Sequence, residues 1–255
     1  MCELLVGLGP DVAVVRVMAM VRWLEVTIET RVEEPVVCEN CATVAELKDR
    51  DLVAHVDLPS FGQPTMLVWR KRRWQCPALF CGVGSWTERA DEIAPAAHLL
   101  TTRAGRWVTA QVGRSGRSVE EVAVELGCDW HTVNRAVIAY GGALIDGDPD
   151  RIPTVRALSL DETLFKREGR WRIQRWSTQL VDARTGQLLD VVEGRTAQAP
   201  AQWLAGRDQR WLGRIQWAVC DLSGPYRATF TTMLPDAVQV ADPISRRAAR
   251  QPASR

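Results

Sequence analysis

Apolar and polar residues alternate in the first third of the chain, and this pattern predicts strands. Residues 22–32 alternate in the manner of a half-buried strand, and residues 67–69 and 73–75 predict two further short strands. The apolar spacing of residues 107–112 is instead typical of a helix, which the glycine-containing segment 113–116 ends. The chain therefore changes from strands to helices before its midpoint.

The segment 141–153 is rich in Gly, Asp and Pro, which makes it the clearest linker, and strands return after it. The pattern beyond the linker predicts the order strand, strand, strand, helix, strand, helix, strand. A ribonuclease H-like sheet begins with this order. The predicted elements are strands 157–165, 171–181 and 188–192, helix 199–209, strand 215–220, a helix from Pro225 to about residue 234, and strand 237–241.

Composition limits the classes of protein to which this chain can belong. With 255 residues, of which 46% are hydrophobic, it is long and apolar enough for two or three small domains with buried cores. The net charge is only +1, so contact with nucleic acid requires local basic patches such as residues 70–73 and 103–117. Asp11 and Arg16 interrupt the apolar N-terminal segment, which predicts neither a signal peptide nor a membrane span.

The chain has seven cysteines, and four of them form two close pairs that predict a metal site. Because the number is odd and the pairs are close, metal binding in a reducing cytoplasm fits better than a disulfide framework. Four thiolates can hold Zn²⁺ tetrahedrally. The alternatives are four metal-free cysteines, or a ligand contributed by His55 or His98. The predicted structural zinc ligands are Cys38, Cys41, Cys76 and Cys81.

A helix-turn-helix pattern follows between residues 118 and 140. Ser118 and Glu121 have the spacing of a capping box, and Gly127 stands where the chain must turn sharply. Polar side chains on a second helix, beginning at Trp130, can contact bases in the major groove of DNA. The alternative is an ordinary helical hairpin in a core. The predicted base contacts are His131, Thr132, Asn134 and Arg135, and the predicted phosphate contacts are Arg72 and Arg73.

Two aspartates, Asp161 and Asp221, follow predicted strands in the last third of the chain. In a ribonuclease H-like sheet these two strands are neighbours, so the two carboxylates would converge. Their hard oxygens suit Mg²⁺, which activates a water or a 3′-hydroxyl for attack on phosphate. The alternative is that they only form turns, which is the role we expect for Asp182, Asp190 and Asp242.

Short motifs recur along the chain in an order that is specific when they are taken together. They are Cys38-Glu39-Asn40-Cys41, Asp57-Leu58-Pro59, Arg72-Arg73-Trp74-Gln75-Cys76-Pro77 with Cys81, Trp86-Thr87-Glu88, the helix-turn-helix, Leu160-Asp161-Glu162, Val181-Asp182-Ala183-Arg184-Thr185-Gly186, Gly194-Arg195-Thr196, Cys220-Asp221-Leu222-Ser223-Gly224-Pro225-Tyr226, Leu234-Pro235-Asp236-Ala237 and Val240-Ala241-Asp242-Pro243. Over about residues 4–243, this series resembles the DDE transposases of the ISL-three group of bacterial insertion sequences. The resemblance implies a strand-transfer enzyme whose first two catalytic, Mg²⁺-binding acids are Asp161 and Asp221.

The chain departs from the family pattern in two places. Ala42 follows Cys41 where the family usually has glycine, which weakens the turn but leaves the ligand set intact. After Pro243 the family continues with Phe-His-Val and a long helical region that carries the third acid, a glutamate. Residues 244–255 lack an apolar period, and one choice of their codons gives the family's continuation in another reading frame. We therefore expect a frameshift that truncates the chain and leaves it catalytically incomplete.

The predicted fold class is multidomain α+β, with an N-terminal zinc-binding ββ module, a helix-turn-helix helical domain and an incomplete ribonuclease H-like α/β domain. The predicted boundaries are residues 1–90 for the N-terminal strand and zinc-finger domain, 91–145 for the helix-turn-helix domain, 146–153 for the linker, 154–243 for the first half of the ribonuclease H-like domain, and 244–255 for a tail outside the family pattern.

The resemblance implies a transposase that binds double-stranded DNA, both the terminal inverted repeats of its element and the target. A homo-oligomer in the bacterial cytoplasm, associated with the nucleoid, is the further expectation, without a membrane partner or a small-molecule substrate. A different class of function is a DNA-binding protein that competes with full-length transposase at the same repeats. The third reading is a poorly folded remnant.

Overall fold

The computed structural model describes residues 7–221 and 223–241, which form two compact units. Unit 1 holds the described residues up to Gly147, and unit 2 holds those from Asp148 onward. Asp242 and the tail 244–255 lie outside the described residues. Within the described ranges, no helix is long and apolar enough to cross a bilayer. The finer division into a zinc domain, a helical domain and a linker stays a prediction.

Unit 1 begins with a five-stranded sheet. Its strands are β1 (Val12–Ala19), β2 (Leu24–Thr30), β3 (Glu46–Ser60), β4 (Gln63–Gln75) and β5 (Ser85–Thr87). The order is β1-β2-β4-β3, and β5 pairs with the end of β4. The β2–β4 pair is parallel, and the other pairs are antiparallel. Ile28, Leu67 and Trp69 are fully buried in a core that also contains Ile93.

The two short strands predicted at residues 67–69 and 73–75 are one continuous strand, β4, and its partner β3 is absent from the prediction. The local pattern failed here because charged residues occupy both strands where apolar alternation would reveal them. Arg73 of β4 lies 3.1 Å from Asp49 of β3, and Arg70 lies 2.9 Å from Glu29 of β2. Opposite charges facing one another across strands stabilise the pairing. Charge complementarity between residues far apart in the sequence therefore explains why these strands pair.

Three helices complete unit 1. They are α1 (Thr102–Gly113), α2 (Val119–Leu126) and α3 (Trp130–Asp146). Val108, Leu126 and Val133 are buried together with Val56 of β3, so the helices share a core with the sheet. The helix predicted over residues 107–112 is the second half of α1.

The turn between α2 and α3 forms as its local signals predict. The Ser118 hydroxyl accepts a hydrogen bond from the Glu121 amide at 3.2 Å, and the Glu121 carboxylate accepts one from the Ser118 amide at 2.9 Å. Gly127 ends α2 in the left-handed conformation with φ of 68°. A Cβ at Gly127 would lie 2.9 Å from Cβ of Pro64, so glycine is required there both by conformation and by space.

Unit 2 is built on a second five-stranded sheet. Its elements are β6 (Ala157–Glu168), β7 (Ile173–Asp182), β8 (Leu188–Glu193), α4 (Gln198–Ala205), α5 (Gln209–Leu212), β9 (Trp217–Cys220), α6 (Gly224–Met233) and β10 (Val238–Ala241). The strand order is β10-β9-β6-β7-β8. β6, β7 and β8 are antiparallel neighbours, whereas β9 runs parallel to β6, and β10 runs parallel to β9.

The predicted order of strands and helices in unit 2 agrees with this structure, with one difference. The single helix predicted over residues 199–209 is interrupted at Gly206, and α5 begins anew after Asp208. The Asp208 carboxylate accepts a hydrogen bond from the Trp211 amide at 2.8 Å, which caps α5. Leu160 and Leu180 of the strands are buried against Leu204 and Phe230 of the helices.

Candidate functional site

The two cysteine pairs of unit 1 come together into one cluster. The Sγ atoms of Cys38, Cys41, Cys76 and Cys81 all lie within 4.8 Å of one another. The separation is 3.7 Å for Cys38–Cys81 and 3.5 Å for Cys41–Cys76. A tetrahedral zinc with Zn–S bonds of about 2.3 Å holds its sulfurs about 3.8 Å apart, so the donor set fits Zn²⁺.

A histidine ligand finds no support among the described residues, because this cluster consists of the four cysteines. His55 is 4% exposed, and its Nδ1 lies 2.9 Å from the His98 carbonyl oxygen. It therefore belongs to the packing of unit 1. Burial lowers the pKa of His55.

The loop that carries the first cysteine pair is a tight turn. The Ala42 amide donates to the Cys38 carbonyl at 2.8 Å, and the Cys38 amide donates to the Thr43 carbonyl at 2.9 Å. Ala42 has φ of 56°, in the left-handed region that favours glycine. The departure from the family pattern at this position therefore places alanine where the backbone prefers glycine.

Hydrogen bonds around the cluster favour the thiolate form that binds metal. Those from the side chain and amide of Thr43 lower the pKa of Cys41 to about 6. The Asn40 side chain and the Val83 amide lower the pKa of Cys81. At Cys76, the Ala78 amide lowers the pKa, but burial and the neighbouring thiols outweigh it and raise the pKa to about 12. A bound cation would remove this mutual penalty between the sulfurs.

The two arginines predicted to contact phosphate differ in accessibility. The Arg72 side chain is 13% exposed, and its guanidinium donates to Thr30 Oγ1 at 2.7 Å and lies 3.5 Å from the Glu88 carboxylate. Arg73 is 33% exposed and faces Asp49 and Asp51. Arg72 is thus committed to internal contacts that join β4 to β2, and Arg73 is the more accessible of the two.

The predicted base contacts on α3 are not all on its surface. His131 and Arg135 are exposed, and Asn134 is half-buried. Thr132 is 5% exposed, so it is poorly placed for the base contact predicted for it. Its hydroxyl donates to the Asp129 carboxylate at 2.6 Å, because residues at this position of a helix engage the capping residue.

The candidate acids Asp161 and Asp221 lie at the same edge of the sheet in unit 2. The parallel β6–β9 pairing ends with Leu160 opposite Cys220, and each aspartate is the next residue in the chain. Neighbouring strands are about 4.8 Å apart, so the two backbones are adjacent. Asp161 does not end its own strand, since β6 continues to Glu168 and pairs Asp161 with Gln179. The pairing of β6 with β9 stops at Leu160, immediately before Asp161.

Each carboxylate uses one oxygen locally. Asp161 Oδ1 accepts from the Glu162 amide, and Asp221 Oδ1 accepts from the Ser223 amide, both at 2.8 Å. Asp161 is exposed and Asp221 is half-buried, so their remaining oxygens can meet a cation. Across the residues that the structure describes, no third carboxylate or histidine completes a cluster of three with the pair.

Glu162 is a neighbouring acid that the sequence did not single out as a site residue. Consecutive residues of a strand face opposite sides, so Glu162 turns towards the helices and away from the Asp161 side. Its Oε2 is buried without a hydrogen-bond partner. Burial, and then the nearby Glu162 carboxylate, raise the pKa of Tyr226 to about 12, and the Tyr226 hydroxyl lies 2.9 Å from Thr178 Oγ1. The position of Glu162 near Tyr226 depends on how α6 packs against the sheet, so no local pattern in the sequence indicates it.

Asp182 and Asp190, for which the sequence predicts turns, have structural roles, but Asp190 lies within β8 and not in a turn. The Asp182 carboxylate accepts from the Arg184 amide at 2.9 Å and forms a turn, as expected. Asp190 accepts from Trp203 Nε1 at 2.7 Å, which fixes α4 against the sheet.

Two family models match the chain, and each contains one of the candidate sites. Residues 158–244, which include both candidate acids, match the DDE-type model of the ISL3 family, described as a transposase. Residues 34–81, which include all four clustered cysteines, match the zinc-finger of transposase IS204/IS1001/IS1096/IS1165. No curated protein matches the chain. The zinc-finger match and the cysteine cluster together support a structural Zn²⁺.

Proposed function

Because this chain belongs to the ISL3 family of insertion-sequence transposases, we propose that unit 1 recognises the ends of the element and that unit 2 carries acids for chemistry on DNA phosphodiester bonds. The observation that carries the second part is the placement of Asp161 and Asp221 directly after the last paired residues of two neighbouring parallel strands. Zinc has a structural role in unit 1.

The strand order of unit 2 supports the assignment of a ribonuclease H-like domain. Three antiparallel strands, β6 to β8, are followed by β9 and β10, which add in parallel on the other side of β6. In such open sheets, ligands bind beyond the carboxyl ends of the parallel strands. This is the edge at which the two aspartates lie, which supports their assignment to the catalytic and Mg²⁺-binding roles.

Carboxylate oxygens are the ligands that Mg²⁺ prefers. When bound, Mg²⁺ stabilises charge on the phosphate and favours a deprotonated nucleophile. Asp161 and Asp221 would hold the ion where the pairing of β6 with β9 ends, and the Glu162 and Ser223 amides fix the orientation of the two carboxylates. Two carboxylates offer few anionic oxygens for a pair of ions, so we expect this chain alone to bind element ends without strand transfer.

DNA recognition is assigned to α3 and to the basic surface of β4. Asn134 and Arg135 can each make two hydrogen bonds to a base in the major groove, and His131 lies on the same turn. Arg73 would contact phosphate, and Arg72 would support it through the contacts to Thr30 and Glu88. Trp130 packs edge-on against His131, with ring centroids 5.3 Å apart, which orders the start of the helix.

The test is binding and cleavage of a labelled duplex that contains one end of the element, with a scrambled duplex as competitor. We expect the full chain to prefer the end, and Asn134→Ala and Arg135→Ala to reduce that preference by about 5- to 150-fold, the range for one lost bidentate base contact. Arg22→Ala is the matched control, since Arg22 is exposed and lies outside α3 and both basic patches.

Equal preference of Arg135→Ala and the wild type for the element end would remove α3 as the reading helix. Cleavage of the end by this chain, if lost in Asp161→Asn, would show that the aspartate pair suffices for catalysis. Selective binding without cleavage would show that a further acid is required.

A further inference from the structure

The β6–β7 hairpin extends beyond its sheet as a two-stranded ribbon, residues 164–176. β9 pairs with β6 only as far as Leu160, and β8 pairs with β7 only from Ser177 onward. β6 and β7 continue to pair with each other up to Glu168 and Ile173, and residues 169–172 form the turn. With about 3.3 Å per residue, the strands of the ribbon project roughly 15 Å past the sheet.

The ribbon concentrates positive charge in a chain that is nearly neutral. It contains five basic residues and one acid, whereas the net charge of the whole chain is +1. The basic residues are Lys166, Arg167, Arg170, Arg172 and Arg175. The acid, Glu168, is already paired with Arg175 at 2.9 Å and with Lys166 at 3.3 Å. In the part of the chain that the structure describes, Arg167, Arg170 and Arg172 have no acidic partner.

Large aromatic side chains stand exposed on the same ribbon. Trp171, in the turn, is 81% exposed, and Phe165 is 74% exposed. Arg170 lies over the Trp171 ring, 5.6 Å from its centroid. Gly169 and Arg172 both have positive φ, 70° and 49°, which closes the turn tightly and presents Trp171 at its tip. Exposed aromatic rings beside basic side chains are the combination by which proteins bind single-stranded nucleic acid.

We propose that this ribbon is a DNA-binding arm, in which Arg167, Arg170 and Arg172 contact phosphates and Trp171 stacks on an exposed base. The inference rests on the proposal that the chain acts on DNA. Unpaired cations select a polyanion, aromatic rings stack on the face of any base, and a two-stranded ribbon is narrow enough for the major groove.

The ribbon lies close enough to Asp161 and Asp221 for one DNA molecule to contact both, so it would act in the same reaction on DNA. Asp161 lies on β6, seven residues before Glu168. That separation is about 23 Å along the strand, which matches the rise of about seven base pairs of B-DNA. DNA placed at the two aspartates can therefore reach the tip of the arm. The arm would hold DNA through its phosphates, independently of the bases read by α3.

The charges are tested by the salt dependence of DNA binding, measured by fluorescence anisotropy with a 30-base-pair duplex of arbitrary sequence. Arg170→Gln with Arg172→Gln is compared with Arg184→Gln with Arg210→Gln, two exposed arginines of unit 2 outside the ribbon. We expect only the ribbon variant to reduce the slope of log Kd against log salt, by about 1.8 for two phosphate contacts. Equal slopes in the two variants would overturn the proposal.

The tryptophan is tested with the same duplex carrying one unpaired adenine. We expect Trp171→Ala to weaken binding of this probe by about 5- to 100-fold and Trp171→Phe to retain most of the affinity, because stacking needs an aromatic face. Trp217→Ala, at a second exposed tryptophan of unit 2, is the control. Loss of self-association in Trp171→Ala, with DNA binding unchanged, would mean that the ribbon contacts a second copy of the chain and would also overturn the proposal.

The two proposals fail in distinguishable ways. If the ribbon variants lose affinity while the chain shows no preference for element ends, the arm stands and the end recognition by α3 fails. If the chain prefers element ends but the ribbon variants behave like their controls, only the arm fails.

Discussion

Leu160 and Cys220 are the last residues paired between the parallel strands β6 and β9, and an aspartate follows each of them. This relationship brings Asp161 and Asp221 to one edge of the sheet although they are far apart in sequence. The backbone spacing of adjacent strands, and not any local motif, determines that the two residues lie at adjacent backbone positions.

We predict that the pair binds a divalent cation. Mn²⁺, used as a spectroscopic substitute for Mg²⁺, should bind the full chain, and Asp161→Asn or Asp221→Asn should weaken this binding at least tenfold by removing an anionic ligand. Asp236→Asn, an exposed aspartate of unit 2, is the control and should change nothing. Mn²⁺ affinity that is the same in all four proteins, measured by electron paramagnetic resonance, would show that the pair is not a metal site.

We predict one zinc per chain, held by the cysteine cluster. Metal analysis of the protein purified under reducing conditions should give close to one equivalent, and Cys76→Ser should lose most of it because three thiolates hold zinc less well than four. Cys128→Ser is the control, since Cys128 lies outside the cluster and burial raises its pKa to about 11. Full zinc content in Cys76→Ser would exclude that cysteine as a ligand.

Ala42→Gly should make the zinc loop more stable. Alanine at φ of 56° costs about 1–2 kcal/mol, of which glycine would recover roughly half after its own entropy cost. A chelator should therefore remove zinc more slowly from the variant. Ala97→Gly relieves a similar φ of 60° away from the cysteines and should leave the rate of zinc loss unchanged. Equal rates for the two variants would mean that the strain at Ala42 does not reach the metal.

Gly127→Ala should destabilise unit 1 by about 1–3 kcal/mol, since alanine is strained at φ of 68° and its Cβ meets Pro64. Gly116→Ala has a similar φ of 67° but open space around it, so it measures the strain alone and should cost less. In a double-mutant cycle, adding Pro64→Gly, which removes the Cβ at 2.9 Å, to Gly127→Ala should recover the difference in the free energy of unfolding. If the two glycine variants lost equal stability, the contact with Pro64 would have no energetic role.

The cap of α3 predicts a pH dependence. Hydrogen bonds from the Thr132 hydroxyl and amide lower the pKa of Asp129 below its ordinary value of 3.8. The ionised form therefore stabilises the folded state above pH 4, and this contribution disappears as the pH falls through the lowered pKa. Asp129→Asn can still cap but does not titrate, so its stability deficit should shrink between pH 5 and pH 3. A deficit that does not change with pH, in chemical unfolding, would contradict this role of the charge.

Much of the candidate site could be predicted from the sequence because the motifs that mark it span only a few residues. The capping box at Ser118, the turn at Gly127 and the two cysteine pairs each depend on residues a few positions apart, where chain geometry leaves few choices. The order of elements in unit 2 is similarly local, because turn residues and apolar runs mark each strand and helix.

Tertiary structure decided what depends on distant partners. β3 is stabilised by its pairing with β4. Its charged residues, such as Asp49 opposite Arg73, interrupt the apolar alternation by which a strand is predicted from sequence. Arg72 is drawn into a network with Thr30 and Glu88, because the folded sheet brings to it partners that lie 42 and 16 residues away in the chain.

The sequence by itself determined which residue types are present and at what spacing: four paired cysteines, two aspartates, and five basic residues between positions 166 and 175. Only the fold decided which of these meet, because strand pairing sets distances between residues far apart in the chain. It joined Cys38 to Cys81 and aligned Asp161 with Asp221. It also left Trp171 exposed at a tip, since the neighbouring strands stop before the ribbon does.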